Sequence, residues 1–220
     1  MHLNSELLFK KYVIPKLTPN LKILEIGPAG YPSAYRKLFT DDIEWHTIDF
    51  SNTTYISEGV ANLTYVLDSP YDFPIENDSY DIIISGQVIE HVGMIWKWLN
   101  ELKRIIRTNG LIITINPTSW PYHEAPIDCW RIFPEGIKAL SEEVDLHIEL
   151  CVNESLEESI ILEKDSKSKF VPGKSFNYTK SARLLDKTIL FNKIIRKIPL
   201  LRFLEQPIEV AYDTISILKK

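Results

Sequence analysis

The twenty-one residues from Asn116 to Gly136, NPTSWPYHEAPIDCWRIFPEG, crowd together side chains that could move a proton or grip a polar ligand. A neutral imidazole accepts a proton near pH 7. His123 is therefore the first candidate for a base acting on a hydroxyl, with Asp128 orienting it or accepting from a second hydroxyl. His91 and Glu124 are further candidates. Trp120, Tyr122 and Trp130 could stack on the apolar face of a sugar ring, and Arg131 could hold a carboxylate, a phosphate or a ring oxygen. Each has a plainer reading. Trp130 could be core packing, Arg131 could pair with Asp128 and pin the loop, and His91 could hold a backbone carbonyl. A divalent metal on His123, Asp128 and one further carboxylate is compatible with these residue types, but no ligand cluster demands one and none is favoured.

A second constellation lies near the start. Ile23 to Pro32 reads ILEIGPAGYP, an apolar run ending in a turn with Gly27 and Gly30. Glycines let the backbone turn sharply and approach a ligand. Pro28, however, lacks the N–H that a phosphate cradle would use, and no third glycine stands where a dinucleotide fingerprint needs it. An uncharged or cationic cofactor loses little by this. Asp49 follows Gly27 at a spacing where an acidic residue takes the hydroxyls of a ribose.

These residues need elements to position them. Apolar runs bounded by turn residues recur at Leu21 to Ile26, Trp45 to Ile48, Leu63 to Leu67, Asp81 to Ser85 and Leu111 to Asn116, and they predict strands buried on both faces. Met94 to Thr108 carries Ile95, Trp98, Leu99, Leu102, Ile105 and Ile106 on one stripe, a helix that Asn109-Gly110 should stop. Alternating strand and helix imply a mostly parallel, doubly wound α/β sheet. A helix from Pro134 to Glu143, a strand from Asp145 to Val152 and a closing strand from Pro207 to Leu218 complete the expectation.

Composition narrows the class further. With 45% hydrophobic and 25% charged residues the chain is no disordered polymer. Its formal charge of -5 argues against a surface given wholly to nucleic acid. Cys129 and Cys151 form no C-x-x-C pair, which suits a reducing, cytoplasmic compartment. No apolar run is long enough to span a bilayer. Lys164 to Phe203 holds eleven Lys or Arg against two Asp, a local +9, so the remainder carries -14. Within it Leu184, Leu185, Thr188, Phe191, Ile194, Ile195 and Ile198 fall at helical spacing, with Arg183, Lys187, Lys193, Arg196 and Lys197 largely to the sides. That basic amphipathic helix could pack on the domain, meet a membrane or lipid-linked substrate through 181–203, or make an oligomer contact.

The motifs add up to a resemblance. L-E-I-G-x-x-G at Leu24 to Gly30, F-P-x-x-x-x-S-Y-D-x-I-x-S at Phe73 to Ser85, and the following Glu90-His91 resemble the class I S-adenosylmethionine-dependent methyltransferases of type 11. The likeness covers at least residues 20 to 152. It implies one Rossmann-like domain over 1–220 with a seven-stranded, mostly parallel sheet and an antiparallel last strand. The basic helical segment, 153–206, would be an insertion before that strand. It also implies S-adenosylmethionine as cofactor. Glu25, Gly27, Pro28 and Gly30 would lie by its methionine part, and Asp49 with Phe50 by its ribose. Asp68 with Ser69 would meet the adenine, and Ser85 and Gln87 would face the cofactor from the end of the fourth strand. Pro28 and Ala29 depart from the usual G-x-G-x-G. His-x-x-Pro-x-Asp-x-Trp-Arg at His123 to Arg131 resembles a subgroup found with polysaccharide biosynthesis, which implies methyl transfer to a sugar hydroxyl of a glycan or activated sugar. Two other readings stand beside it: methylation of a small metabolite, lipid or quinone at a membrane surface, and a catalytically silent binding protein.

Overall fold

The computed structural model describes residues 2–39, 43–50, 62–124, 126–176 and 182–220, without the side chains of Ala182 and Arg183. Ser181, at the edge of the expected membrane contact, and the side chain of Arg183 thus lie outside it.

The apolar runs become β1 (Lys22–Ile26), β2 (Glu44–Phe50), β3 (Tyr65–Leu67), β4 (Tyr80–Gly86) and β5 (Ile106–Pro117), and the later chain adds β6 (His147–Glu154), β7 (Phe170–Pro172), β8 (Ile208–Val210) and β9 (Asp213–Lys219). Seven of them form one sheet in the order β3-β2-β1-β4-β5-β9-β6. β9 runs antiparallel to both β5 and β6, and the other neighbours are parallel. The strand order reverses between β1 and β4, where an open α/β sheet forms its ligand crevice.

Alternation along the strands feeds two layers. Leu24, Ile26, Ile83 and Ile112 enter one core cluster, and Ile23, Ile82, Ile84, Ile113, Ile215 and Ile217 enter the other. Successive strand residues point to opposite faces, so runs of isoleucine suit strands covered on both sides. On the first face lies α2 (Ile95–Ile105), which buries Ile95, Trp98, Leu99, Leu102 and Ile105. At roughly 1.5–3 kcal/mol for each large side chain, that stripe contributes on the order of 10 kcal/mol of gross transfer free energy. On the other face α1 (Leu3–Leu8) and the π-helical turn Phe9–Val13 bury Leu8, Phe9 and Val13. α3 (Pro134–Glu143) matches its expected bounds.

Several expectations shift: β5 starts earlier, at Ile106, and β6 spans His147–Glu154 where the sequence predicts Asp145 to Val152. α2 ends at Ile105, because Ile106 already pairs with Tyr80 in the sheet. The residues up to Gly110 then bulge out of register, with Asn109 left-handed at φ 64 and the Arg107 guanidinium on Asp81 at 2.7 Å. Pro207 to Leu218 is no single strand. It breaks at Ala211-Tyr212, where the two N–H groups donate to Glu157 (3.1 Å) and to the Ser119 hydroxyl (2.9 Å) instead of a ladder. The basic helix, α5 (Ala182–Ile195), carries its apolar residues on more than one stripe: Leu185, Ile189 and Ile195 are buried, whereas Leu184, Phe191 and Ile194 are exposed.

The buried face of α5 packs with α4 (Glu157–Lys164) and the two-stranded β7-β8 sheet around Ile161, Leu185, Ile189, Ile208 and Val210, a small core of its own. Arg196 ties it together by ion pairs to Asp165 at 2.7 Å and Glu205 at 2.6 Å.

Candidate active site

Strand register aligns the cofactor candidates. Ile26 stands opposite Ile48 and Ser85, and Phe50 opposite Leu67, so Gly27, Asp49, Asp68 and Gly86 all emerge at one edge of the sheet. Gly27 and Gly30 have φ of 68° and 84°. A Cβ on Gly27 would come within 2.5 Å of Val88 Cγ2, so the first loop packs directly on the turn that follows β4. The Gly27 N–H donates to Ile48 O at 3.0 Å, and Pro28 has none. The first two loop positions therefore offer no donor to a pyrophosphate, while Asp49 and the exposed Asp68 supply negative charge nearby. A sulfonium cofactor with an ammonium group and a ribose fits that donor set; a dinucleotide does not.

The surroundings of this edge are less uniform than the motif implies. Glu25 is buried, and its Oε2 accepts from Trp45 Nε1 at 2.8 Å and from the Ser33 hydroxyl. Burial outweighs those bonds and pushes its carboxyl up to about 7. Glu25 thus braces the segment after Gly30. Asp49 accepts from the Phe50 N–H at 2.8 Å, and Phe50 packs on the core. The Ser69 hydroxyl accepts from the Tyr71 N–H at 3.2 Å. Ser85 is buried with no partner for its hydroxyl among the described residues. Gln87 turns away from its expected position. Its left-handed backbone (φ 60) directs the amide nitrogen to Ser5 Oγ (2.9 Å) and Asp213 Oδ1 (3.1 Å).

On the acceptor side, Asp128 is saturated. Its carboxylate accepts two bonds from Arg131, at 2.5 and 2.7 Å, and one from the His123 N–H at 2.7 Å. The guanidinium, against the cost of burial, holds the carboxyl down to about 2. Arg131 also donates to Trp120 O and Pro121 O. This pair pins the loop, so Asp128 is no free base and Arg131 no free anion clamp. The orienting role fits, because Asp128 Oδ2 stands 3.3 Å from His123 Nδ1. Trp130 packs on the core and donates to Val92 O at 2.8 Å, so it is a wall of the loop and not an open platform. Tyr122, 71% exposed, donates to Glu124 at 2.7 Å.

The two histidines converge. His91 Nδ1 lies 2.5 Å from Ile127 O and His123 Nδ1 3.1 Å from Pro121 O. A carbonyl can only accept, so Nδ1 carries the proton in each ring and Nε2 keeps its lone pair. The rings meet edge to face at 4.9 Å. Burial lowers the His91 pKa and keeps that imidazole neutral. Beside them Glu90, 1% exposed, has no hydrogen-bond partner for either carboxylate oxygen among the described residues, and its Oε1 stands 3.7 Å from His91 Nε2. Burial pushes its carboxyl up to about 8, so it is a neutral acid at pH 7. Ligand atoms of Glu90, His91 and His123 lie within 4.8 Å of one another, a different donor set from the His123 and Asp128 pair that the sequence suggests.

Sequence reasoning missed Glu90 as a site residue, together with a group from the chain's two ends. The His2 ring stacks on Trp120 at 4.8 Å, and its Nε2 lies 3.2 Å from Asp213 Oδ1. Asn4 donates to Asp213 Oδ2 at 2.6 Å and accepts from the Leu156 N–H at 2.7 Å. Asp213, fully buried at the start of β9, thereby fixes α1 across this edge of the sheet. The available signal was polarity out of place: Asn4 and Ser5 buried on the short helix LNSELL, and Asp213 opening a buried strand.

Fold and site together define a class. The architecture is that of the Rossmann-like class I methyltransferases, and residues 27–114 match the family model described as a methyltransferase domain. Over 127 residues the sequence is 29% identical to a ubiquinone biosynthesis O-methyltransferase of Rickettsia akari, a match covering 51% of this chain and 50% of that one. The chain thus spans about half the length of the curated relative it matches. Among solved structures it is similar to an S-adenosylmethionine-dependent methyltransferase from Archaeoglobus fulgidus, with TM-score 0.56, 16% identity, and coverage of 97% of this chain and 94% of the other. It is also similar to phosphoethanolamine N-methyltransferase 2 of Haemonchus contortus in complex with S-adenosyl-L-methionine, with TM-score 0.54, 15% identity, and coverage of 98% and 52%. Residues 27–114 are thus similar to a methyltransferase domain, and the chain shares the fold of S-adenosylmethionine-dependent methyltransferases.

Proposed function

We propose that the protein methylates a hydroxyl oxygen. The observation that carries this reading is the meeting of His91, after β4, with His123, from the loop after β5, each with Nε2 unprotonated, next to the turn on which the glycine loop packs. The cofactor supplies an electrophilic methyl group on sulfur. Asp49 and Asp68 would hold its ribose and adenine, and the Gly27 to Gly30 loop its methionine part. The acceptor oxygen would bond to the methyl carbon as the carbon–sulfur bond breaks. Its proton would pass to His123 Nε2, with the developing imidazolium stabilised by the ionised Asp128 at its Nδ1. His91 and the neutral Glu90 would line the acceptor side and keep it poor in water.

A sugar hydroxyl is the acceptor that Tyr122 and Glu124, exposed beside His123, support best. The alternative acceptor is a phenol, quinone or lipid hydroxyl, favoured by the similarity to the ubiquinone O-methyltransferase. Incubation with methyl-labelled S-adenosylmethionine and separate panels of sugars, sugar nucleotides and phenolic acceptors distinguishes the two. Labelled product from the first panel supports the sugar reading, and product from the third alone replaces it. Calorimetry that detects binding of neither S-adenosylmethionine nor S-adenosylhomocysteine would reduce the chain to a silent binding protein.

A further inference from the structure

α5 has two apolar faces and only one of them is packed. Leu185 and Ile189 turn into the small core of the insertion. At about 100° per residue, Leu184, Leu190, Phe191 and Ile194 gather on an arc roughly 120° wide on the other side, and they are 58%, 59%, 42% and 52% exposed. The ridge continues past the helix through Ile198 into the 3-10 turn Pro199–Leu204. Leu200 and Phe203 there are 82% and 79% exposed, more than any other large apolar side chain among the described residues. Contiguous apolar surface of this kind marks an interaction site.

Charge selects the occupant. Lys187, Lys193 and Lys197 stand on or beside the ridge, and Arg202 lies in the turn. The neighbouring carboxylates are neutralised in place, Asp165 and Glu205 by Arg196 and Asp186 by Lys164. Lys187, Lys197 and Arg202 have no carboxylate partner among the described residues. A second copy of this chain, meeting the ridge by a two-fold axis, would set lysine against lysine. Protruding apolar tips ringed by free cations suit a bilayer interface, where the tips enter the acyl boundary and the cations meet lipid phosphates.

We propose that α5 and the turn after it dock on an anionic lipid surface, with Leu200 and Phe203 inserted below the headgroups. Ser119 donates to Gly173 O at 2.8 Å, which ties this insertion to the loop bearing His123. Docking would therefore bring the acceptor side near the bilayer. The proposal stands on the insertion alone and does not depend on the methyl acceptor.

The test is sedimentation of the full chain with vesicles of phosphatidylcholine, with and without phosphatidylglycerol, over a salt series. Binding is expected with phosphatidylglycerol only, weakening as salt rises. Leu200→Ser with Phe203→Ser should lower it at least tenfold. Each of Lys187→Glu, Lys197→Glu and Arg202→Glu should lower it by about fivefold or more. Unchanged affinity for S-adenosylhomocysteine would show that these variants fold. Absence of binding by the natural chain overturns the proposal, as does equal binding by the Leu200 and Phe203 variant. A concentration-dependent dimer lost in that variant, without vesicle binding, would assign the ridge to self-association instead.

Discussion

Replacing Glu90 by Gln should make the protein more stable, and only at high pH. In the folded chain the Glu90 carboxyl is buried without a side-chain hydrogen-bond partner among the described residues, and burial pushes it up to about 8, against about 4.5 when free. A pKa raised on folding means that the native state holds this proton more tightly than the unfolded chain does. The contribution is fully present below about pH 4.5 and is lost as pH rises through about 8. A rise of about 3.5 units corresponds to ~5 kcal/mol at the upper limit, and relaxation of the site would leave about 2–5 kcal/mol. Glutamine has nearly the same shape and never ionises. Urea denaturation followed by circular dichroism should find the two proteins within about 1 kcal/mol of each other at pH 5 and the variant ahead by about 2–5 kcal/mol at pH 9. Glu25, raised by burial in the same direction, is common to both proteins and cancels in the difference. An equal difference at pH 5 and pH 9 would mean that Glu90 is solvated or paired in the native protein, and the account of its burial would fail.

Gly27→Ala places a Cβ at φ 68 and 2.5 Å from Val88 Cγ2. It should cost about 1–2 kcal/mol in backbone strain besides the overlap, and lower S-adenosylhomocysteine affinity at least tenfold by calorimetry. Adding Val88→Ala should recover only the steric part. His123→Ala should lower kcat by about a hundredfold with little change in cofactor affinity, read from turnover with the best acceptor of the panels. Arg131→Met would strand the Asp128 carboxylate, costing about 2–4 kcal/mol by thermal unfolding at pH 7. Because Asp128 is depressed to about 2, the stability it lends is present above about pH 4 and is lost as pH falls through 2. The variant should lose that acid limb.

Much of the framework was legible because it rests on short-range rules. The isoleucine runs of β1, β4 and β5 suit strands covered on both faces; the glycine turn and Asp49 pointed by spacing to the crevice edge, and Asp68 through the family resemblance. Pro28 excluded a phosphate cradle, and the structure adds that Gly27 spends its own N–H on Ile48. The failures are of long range. Nothing near Gln87 in sequence foretells that Ser5 and Asp213 will claim its amide, and nothing near Asp128 decides whether Arg131 or a ligand takes its carboxylate. Glu90 escaped notice because its lack of hydrogen-bond partners is a property of the packed interior. The helix at Met94 was overextended for a related reason: propensity favoured Ile106 in the helix, but the sheet offered it Tyr80. The ridge on α5 was read as one amphipathic stripe because helical spacing cannot say which of two apolar faces finds a core.

The pairing of Glu154 with Asp213 across β6 and β9 has a further consequence. The chain leaves the sheet after Glu154 and returns to it at Asp213, at facing positions, so the segment between them hangs from the sheet like a bead on a hairpin. Its growth or shrinkage between those two residues leaves the β6–β9 register intact, provided the bonds of Gly173 and Tyr212 to Ser119 are kept. Under the proposals above, this segment could be exchanged, and with it the docking surface, without moving the glycine loop or the strand ends beside it.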